Sequence, residues 1–409
     1  MEQFETLSPP QRAAMARSMT SGRGALARRS LLRAAGLGVI GTAGLTACGI
    51  PAAGRKGGTV STDHSAQEKV VDFSNWTEYI DVSDDGKHRP TLDAFTRRTG
   101  IKVKYTEDIN DNIEFFGKIK PQLAAGQDTG RDLMVLTDWL AGRMIRLGWV
   151  QQLNSANLPH AYANLEQRFR SPDWDPGRAY SYPWQGIATC IAYNKKATGG
   201  RKVTSISQLL DDTSLKGKVA MLSEMRDTIG MTLLDMGELP EKVTDDTFAA
   251  AVARIQKAVD SQQIRKFTGN EYTDGLSKGD IAACVAWAGD LVQLRIDDPD
   301  IEYVFPDSGF LSSTDNLLIP NKARHKTNAE RLIDYYYEPP VAAQLSAYIN
   351  YVCPVAGVKP YLAKIDPGLA SNPLILPDAA MDAKTHEFRS LSDAEDSRYE
   401  DTFSKLIGA

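Results

Sequence analysis

The 409-residue chain has few of the residues that build disulfide and metal sites. It contains four cysteines and five histidines, with no CxxC, HxxH or HExxH motif. This excludes a disulfide framework and gives no support for a metal site such as zinc or for a histidine-based catalytic site. Cys190, Cys284 and Cys353 lie in apolar surroundings and are expected to be buried free thiols, although one disulfide among them is also possible.

The sequence also lacks the common motifs of enzymes. It has no Gly-rich phosphate loop, no GxSxG elbow and no internal repeat. We therefore expect no cofactor and no catalytic residues.

No apolar run near the N-terminus is long enough to cross a membrane as a helix. The run from Ala34 to Ala47 has fourteen residues, whereas a span needs about 20. It follows the pair Arg28-Arg29 and ends at Leu45–Cys48, a lipobox-like sequence. This pattern predicts a Tat-type lipoprotein signal peptide over residues 1–47, lipidation of Cys48 and a flexible tether over residues 48–68. An ordinary secretory signal, or a hydrophobic helix with an incidental cysteine, is the alternative.

Acidic residues outnumber basic residues in the rest of the chain. Residues 1–47 carry six Arg and two Glu, so their removal changes the formal net charge from −5 to −9. An acidic protein of this kind lacks the basic surface that nucleic acids require. Its charge is compatible with a cationic ligand.

Strands and amphipathic helices alternate along the remaining 340 or so residues, beginning with the apolar strand Val70–Phe73. The alternation predicts an α/β fold with parallel strands, whose ligands bind beyond the carboxyl ends of those strands. The length predicts two lobes. We expect residues 69–187 plus 288–320 in the first lobe, and residues 188–287 plus 321–409 in the second.

Four of the loops at strand ends combine an aromatic residue or a hydroxyl with a carboxylate, or hold two carboxylates. The sets are Trp76, Thr77, Glu78 and Tyr79; Thr137, Asp138 and Trp139; Glu224 and Asp227; and Trp287 and Asp290. Aromatic faces attract ammonium groups and cover methylene chains, while carboxylates accept hydrogen bonds from ammonium groups. Each set alone could serve packing or helix capping. Together they predict a site for a short aliphatic diamine.

These loops carry a resemblance to a known family. The chain resembles the spermidine/putrescine-binding proteins of ABC importers in NWTEY, TGIKV, RDLMVLTDW, SYPWQG, GKVAML, the KGD segment with WAGD, TDNLLIP and YVCPVAG. The resemblance covers residues 69–405. It implies a type II periplasmic-binding-protein fold, in which two α/β lobes joined by hinge strands enclose a ligand cleft. It also implies a polyamine ligand, an ABC permease with its ATPase as partners, and a monomer.

The resemblance assigns roles to the first of these loops and to one aspartate. Trp76 and Tyr79 correspond to residues that wall the diamine, and Thr77 and Glu78 to residues that line the entrance. Asp290 corresponds to an acceptor for an ammonium group.

Further correspondences concern the other side of the cleft. Trp287 would lie beside the bound ammonium group, and Thr137 and Trp139 replace a family serine and tyrosine. Glu224 and Asp227 fall where the family has an acidic pair for the far amine of spermidine, with Glu and Asp exchanged in order.

One departure from the family lies at Ser313, which replaces a frequent aromatic residue. The sequence therefore leaves the preferred polyamine open. The same fold with a ferric ion, a thiamine-like cation or an anion is an alternative, as are an exported enzyme and a sensory or structural lipoprotein. The expected location is the outer face of the cytoplasmic membrane.

Overall fold

A computed structural model describes residues 61–109 and 111–408, and these residues form an α/β fold. Its strands are β1 (Val70–Trp76), β2 (Lys102–Ile109), β3 (Leu133–Thr137), β4 (Ser181–Asn194), β5 (Val219–Leu222), β6 (Ile264–Thr268), β7 (Ala283–Trp287), β8 (Ile301–Val304), β9 (Phe310–Leu318) and β10 (Thr385–His386).

Helices separate most of these strands along the chain. They are α1 (Pro90–Thr99), α2 (Asn112–Ala124), α3 (Asp138–Arg146), α4 (Pro159–Asn164), α5 (Ile206–Asp211), α6 (Met225–Asp235), α7 (Asp245–Asp260), α8 (Tyr272–Lys278), α9 (Ala288–Asp297), α10 (Lys326–Tyr336), α11 (Pro339–Ile349), α12 (Lys359–Ile365), α13 (Ala379–Asp382) and α14 (Asp393–Ile407). None of the helices in the described ranges is long and apolar enough to cross a membrane.

The strands follow the order β2-β1-β3-β9-β4-β7-β5-β6, with β8 beside β4 and β10 beside β9. β1, β2 and β3 are parallel to one another, and so are β5, β6 and β7. The parallel pairing that the alternation of strands and helices predicts is therefore confirmed in both groups. β9 and β4 lie between the groups and run antiparallel to each other and to their outer neighbours.

β4 and β9 join the two groups of strands. The first half of β4, residues 181–188, pairs with β9, whereas residues 189–193 pair with β7. β9 in turn pairs with β3 through residues 315–318. Because β9 pairs with the first group, β4 pairs with the second, and the two strands pair with each other, they form the connection between two lobes, as the type II periplasmic-binding-protein fold requires.

Each lobe has its own hydrophobic core. In the first lobe, successive residues of β3 point to opposite faces, so Leu133 and Val135 pack in one cluster and Met134 and Leu136 in another. The second lobe is built around β5 and β7, whose residues are almost entirely buried. All core residues of both lobes lie between residues 71 and 406.

The cores divide the C-terminal half of the chain differently from our expectation. Residues 288–304, expected in the first lobe, place Leu291 and Ile301 in the core of the second. Residues 326–349, expected in the second lobe, pack in the core of the first. The chain returns to the first lobe through β9, whereas the expected boundary within WAGD placed this return one strand earlier. α14 then packs on the second lobe.

Part of the predicted tether is packed on the first lobe. Ser65 is buried, and its hydroxyl accepts a hydrogen bond from the Asn328 backbone at 3.1 Å. His64 donates a backbone hydrogen bond to the Arg324 carbonyl at 2.8 Å. Residues 61–68 are thus attached to the start of α10, because their turn satisfies backbone groups there. The predicted signal peptide, Cys48 and the tether as far as residue 60 lie outside the described residues.

The remaining cysteines behave as the sequence predicts. Cys190, Cys284 and Cys353 are free and buried. Burial raises the pKa of the Cys353 thiol to about 11, so this residue is an inert part of the core.

Packing around Gly275 in α8 leaves no room for a side chain. A Cβ atom there would lie 2.8 Å from Cγ1 of Ile281 and still closer to its Cδ1. We expect Gly275→Ala to lower the free energy of unfolding by about 1–3 kcal/mol, measured by urea denaturation. The matched control is Gly117→Ala in α2, where a Cβ meets nothing within 4 Å. It should be neutral or stabilising, and equal effects of the two variants would contradict this account.

Candidate functional site

A cavity of 520 Å³ lies between the two lobes. The first lobe contributes the loop after β1, the start of α2 and the end of α11, and the second lobe contributes the starts of α6, α8 and α9. Apart from the end of α11, these segments follow the carboxyl ends of parallel strands, where ligands of α/β sheets bind.

The cavity is strongly acidic. The lining carboxylates are Glu78, Asp111, Glu224, Asp227, Asp290, Asp297 and Asp315. No lysine, arginine or histidine is among the described residues that line it. Glu78 and Asp297 are exposed, whereas the other five are buried or half-buried. Carboxylates that are buried close together repel one another, so the site is suited to a ligand with several positive charges.

Asp290 is the most fully oriented of these carboxylates. Its Oδ2 accepts hydrogen bonds from the Tyr272 hydroxyl at 2.6 Å and from Asn270 at 2.8 Å, and its Oδ1 accepts one from the Tyr351 hydroxyl at 2.7 Å. Burial raises the pKa of Asp290, while these bonds act in the opposite direction. Asp290 does not cap α9, because its hydrogen bonds come from side chains.

Asp227 is held by residues of the second lobe. Its Oδ1 accepts a hydrogen bond from Thr189 at 2.7 Å, and its Oδ2 accepts one from the Trp287 indole N–H at 3.0 Å. Burial raises its pKa, and the two hydrogen bonds lower it. The indole N–H also fixes the orientation of the Trp287 ring in the cavity wall.

Asp315 lies on β9, close to the connection between the lobes. Its Oδ1 accepts a hydrogen bond from Thr137 at 2.8 Å, and Thr137 in turn accepts one from Asn112 at 2.8 Å. Burial raises the pKa of Asp315 to about 6, and the nearby Asp227 contributes to the rise. The buried Tyr79 hydroxyl lies beside this carboxylate, but it makes no hydrogen bond of normal geometry to any described residue. A ligand donor could satisfy both groups.

Glu224 and Asp111 both line the cavity, and the charge of Asp111 contributes to the raised pKa of Glu224. Glu224 occupies the residue before α6 but makes no capping hydrogen bond. Burial, followed by the charges of Glu400 and Asp227, raises its pKa well above the usual range. Asp111 caps α2, and both capping bonds use its Oδ1.

Aromatic rings complete the walls. The Trp76 indole N–H donates to the Val135 carbonyl at 3.1 Å, which orients the ring at the end of β1. Tyr79 packs edge-on against Tyr351 with ring centroids 5.1 Å apart. Glu78, between Thr77 and Tyr79, adopts a left-handed backbone conformation with φ of 57°. This conformation bends the loop so that its four residues line the cavity.

The structure brings nine of the eleven predicted site residues to this cavity. They are Trp76, Thr77, Glu78, Tyr79, Thr137, Glu224, Asp227, Trp287 and Asp290. Asp138 and Trp139 do not line it. Asp138 accepts hydrogen bonds from the backbone of Trp139 and Thr314, and its pKa is raised to about 7 by burial and by Glu387. The Trp139 ring instead lies against Arg226, 4.4 Å from its guanidinium carbon.

Several lining residues were not predicted from the sequence. They include Asp111, Asn112, Asn270, Asp297, Asp315, Tyr348 and Tyr351. Asp315 and Tyr351 belong to TDNLLIP and YVCPVAG, which were used to identify the family but were assigned no role. Asp111 caps a helix, and nothing in its local sequence indicates its second use as a cavity residue.

One group of potential metal ligands occurs among the described residues, and it lies outside the cavity. Asp72, Asp132 and His325 place ligand atoms within 4.8 Å of one another. These atoms already have protein partners: Asp132 Oδ2 bonds to His325 Nδ1 at 2.7 Å and to the Asp72 backbone at 2.9 Å. The cluster therefore fastens α10 to the first sheet.

Comparisons with known proteins agree with this geometry. A family model described as bacterial extracellular solute-binding protein matches residues 91–376. The chain is 27% identical over 347 residues to the spermidine/putrescine-binding periplasmic protein of Escherichia coli K12, covering 85% of this chain and 94% of that protein. It is 26% identical to the putrescine-binding periplasmic protein of the same organism, with coverage of 78% and 86%.

A solved structure shows the same fold. It is a spermidine/putrescine ABC transporter substrate-binding protein from Streptococcus pneumoniae, with a TM-score of 0.68 and 20% sequence identity. The match covers 83% of this chain and 98% of that one.

The raised pKa of Asp315 predicts how its charge affects stability. In an unfolded chain an aspartate has a pKa of about 3.9, so a folded-state pKa of about 6 means that the folded state binds more protons between these values. Ionisation of Asp315 therefore destabilises the folded protein as pH rises. The difference of about two units corresponds to about 3 kcal/mol.

We expect Asp315→Asn to gain stability relative to the unsubstituted protein as the pH increases from 4 to 7, by up to about 3 kcal/mol. Urea denaturation of both proteins at pH 4, 5.5 and 7 measures the difference. A difference that stays constant over this range would contradict the assignment of an unfavourable buried charge to Asp315.

Proposed function

Because the chain belongs to the bacterial extracellular solute-binding protein family, we propose that its cavity binds a polyamine and delivers it to an ABC importer. The family serves transport and is not an enzyme family. The observation that carries the proposal is the lining of seven carboxylates and several aromatic rings without a cationic side chain. The names of the relatives support the same ligand class.

A diamine would place its two ammonium groups at separate carboxylates and its methylene chain against the aromatic rings. One ammonium group binds Asp290, whose orientation is fixed by three donors. The other binds near Asp315 and Asp227, where it also provides a donor for the Tyr79 hydroxyl. Charge-assisted hydrogen bonds contribute about 1.5–3 kcal/mol each, and each methylene covered by the rings contributes about 0.8 kcal/mol. The sum of about 8 kcal/mol or more is the gain before ordering costs, and a net gain of about 8 kcal/mol corresponds to micromolar affinity.

A longer polyamine has a further site at Glu224 and Asp111. Glu224 makes no capping bond, and its carboxylate faces other carboxylates. A third ammonium group there would relieve that repulsion. We therefore expect the ratio of spermidine to putrescine affinity to depend on Glu224.

The other ligands considered from the sequence fit this lining less well. An anion would be repelled by the lining carboxylates. A ferric ion would require phenolate ligands from Tyr79 and Tyr351. Burial, together with neighbouring carboxylates, raises the pKa of both hydroxyls well above the usual range, so the phenolate forms are disfavoured.

The direct test is calorimetric titration of the chain from residue 61 with putrescine and with spermidine, after confirming that no ligand co-purifies. We expect binding at micromolar or lower concentration for at least one of them. Asp290→Asn should weaken diamine binding at least tenfold, because a charge-assisted contact is lost.

Asp274→Asn is the matched control, since this carboxylate is 81% exposed on α8 and does not line the cavity. It should bind as the unsubstituted protein does. Absence of heat with either polyamine, in folded and ligand-free protein, would reject the proposed ligand class. Unchanged affinity of Asp290→Asn would remove only that residue from the site.

We further propose that the protein acts as a monomer held at the outer face of the cytoplasmic membrane by a lipid on Cys48. The lipobox-like sequence before Cys48 supports this. Residues 61–68 are packed on the first lobe, so residues 48–60 would form the tether.

Cys48→Ser should move the protein from the membrane fraction to the soluble fraction, because the thioether for the lipid cannot form. Fractionation of cells that express each form measures this, with Cys353→Ser as the control for loss of a cysteine elsewhere. Membrane association that persists in Cys48→Ser would show that anchoring does not depend on this residue.

A further inference from the structure

The hydrogen bonds to Asp290 come from both lobes. Tyr272 and Asn270 belong to the second lobe, as Asp290 does, whereas Tyr351 follows α11 and packs against the core of the first. The 2.7 Å bond from the Tyr351 hydroxyl to Asp290 Oδ1 therefore crosses the cleft.

Tyr351 is fixed firmly to the first lobe. Its ring packs edge-on against Tyr79, and the next residue, Val352, exchanges two backbone hydrogen bonds with Gly186 at 2.8 and 3.0 Å. Gly186 lies on β4 immediately before this strand passes from the first lobe to the second. The position of the Tyr351 ring is thus tied to the connection between the lobes.

The surface that receives this ring is made by Gly289. A Cβ atom at this position would lie 2.5–2.7 Å from three atoms of the Tyr351 ring. A ring from the first lobe therefore rests directly on the backbone of the second, beside the carboxylate to which it donates. This contact joins the two lobes across the cleft, and a side chain at residue 289 would displace the ring.

We propose that Tyr351 is a positioning residue that couples polyamine binding to closure of the lobes. Its hydroxyl orients Asp290 toward the bound ammonium group and at the same time joins the two lobes. In an empty closed cleft, repulsion among the carboxylates opposes this contact. A bound polyamine removes the repulsion, and the Tyr351–Asp290 bond then retains the ligand. The identity of the ligand in this inference rests on the proposed function.

Tyr351→Phe and Tyr272→Phe form a matched pair, since each removes one hydroxyl that donates to Asp290 and only Tyr351 lies on the opposite lobe. The Tyr272 hydroxyl also accepts the Trp287 backbone N–H at 3.0 Å, so a role limited to orienting Asp290 would make Tyr272→Phe the more harmful change. We expect Tyr351→Phe to raise the dissociation rate of the bound polyamine about tenfold in stopped-flow displacement, with little change in association. Tyr272→Phe should raise it less.

The distance between the lobes provides the second measurement. Fluorescent labels on Glu114→Cys of the first lobe and Asp274→Cys of the second use exposed positions, whereas the three cysteines of the chain from residue 61 are buried. In polyamine-saturated protein, Tyr351→Phe should widen the distribution of interlobe distances, and Tyr272→Phe should leave it as in the unsubstituted protein. Gly289→Ala should reproduce the effect of Tyr351→Phe from the other lobe.

Equal dissociation rates for the two Phe variants, with unchanged interlobe distances, would overturn the coupling role of Tyr351. If no polyamine binds the unsubstituted protein, the proposed function is rejected, and this result alone does not decide the role of Tyr351. The distance distribution without ligand then decides the role of Tyr351: a shift to wider separation in both Tyr351→Phe and Gly289→Ala supports it, and no shift in either overturns it.

Discussion

Repulsion among buried carboxylates is the constraint on which the cleft depends. Asp227, Asp290 and Asp315 are all buried by the walls of the cavity, and burial raises the pKa of each. Hydrogen bonds from Thr189, Trp287, Tyr272 and Thr137 hold the carboxylates in place without neutralising them. The folded protein therefore contains an unfavourable interaction that a bound polycation would remove, so the same groups would both supply affinity and favour closure of the lobes.

β4 and β9 connect the two lobes. β9 pairs with β3 of the first lobe, β4 pairs with β7 of the second, and the two strands pair with each other, so a rotation at their centre would move one core against the other without breaking either. Asp315 lies on β9, and the bridge from Gly186 to Val352 lies on β4. Binding groups and the connection between the lobes are therefore adjacent in the structure, and a charge bound near Asp315 acts close to the axis of motion.

The sequence predicted the fold and most of the cavity because both follow from local patterns. Alternating strands and helices predict parallel sheets, and loops after such strands predict where ligands bind. Asp138 and Trp139 follow β3 in the same way. However, the Asp138 carboxylate accepts hydrogen bonds from the Trp139 and Thr314 backbone, and the Trp139 ring packs against Arg226, so neither side chain lines the cavity. Tyr351 could not be predicted, because its approach to Asp290 depends on how the lobes close. The prediction of the lobe boundaries was wrong for a related reason. β7 and β9 are both apolar strands, and only their pairing shows which one returns to the first lobe.

The segment Glu224–Asp227 shows how one stretch of chain is divided between the cleft and the core. Glu224 and Asp227 line the cavity, whereas Arg226 between them is turned toward α14, where it pairs with Asp396 at 2.6 Å and with Glu400 at 2.9 Å. Its guanidinium also covers the Trp139 ring of the first lobe. If Arg226 entered the cavity, it would neutralise the neighbouring carboxylates and remove the demand for a cationic ligand. The pairing with Asp396 and Glu400, neither of which lines the cavity, thus keeps a cationic side chain out of the cleft.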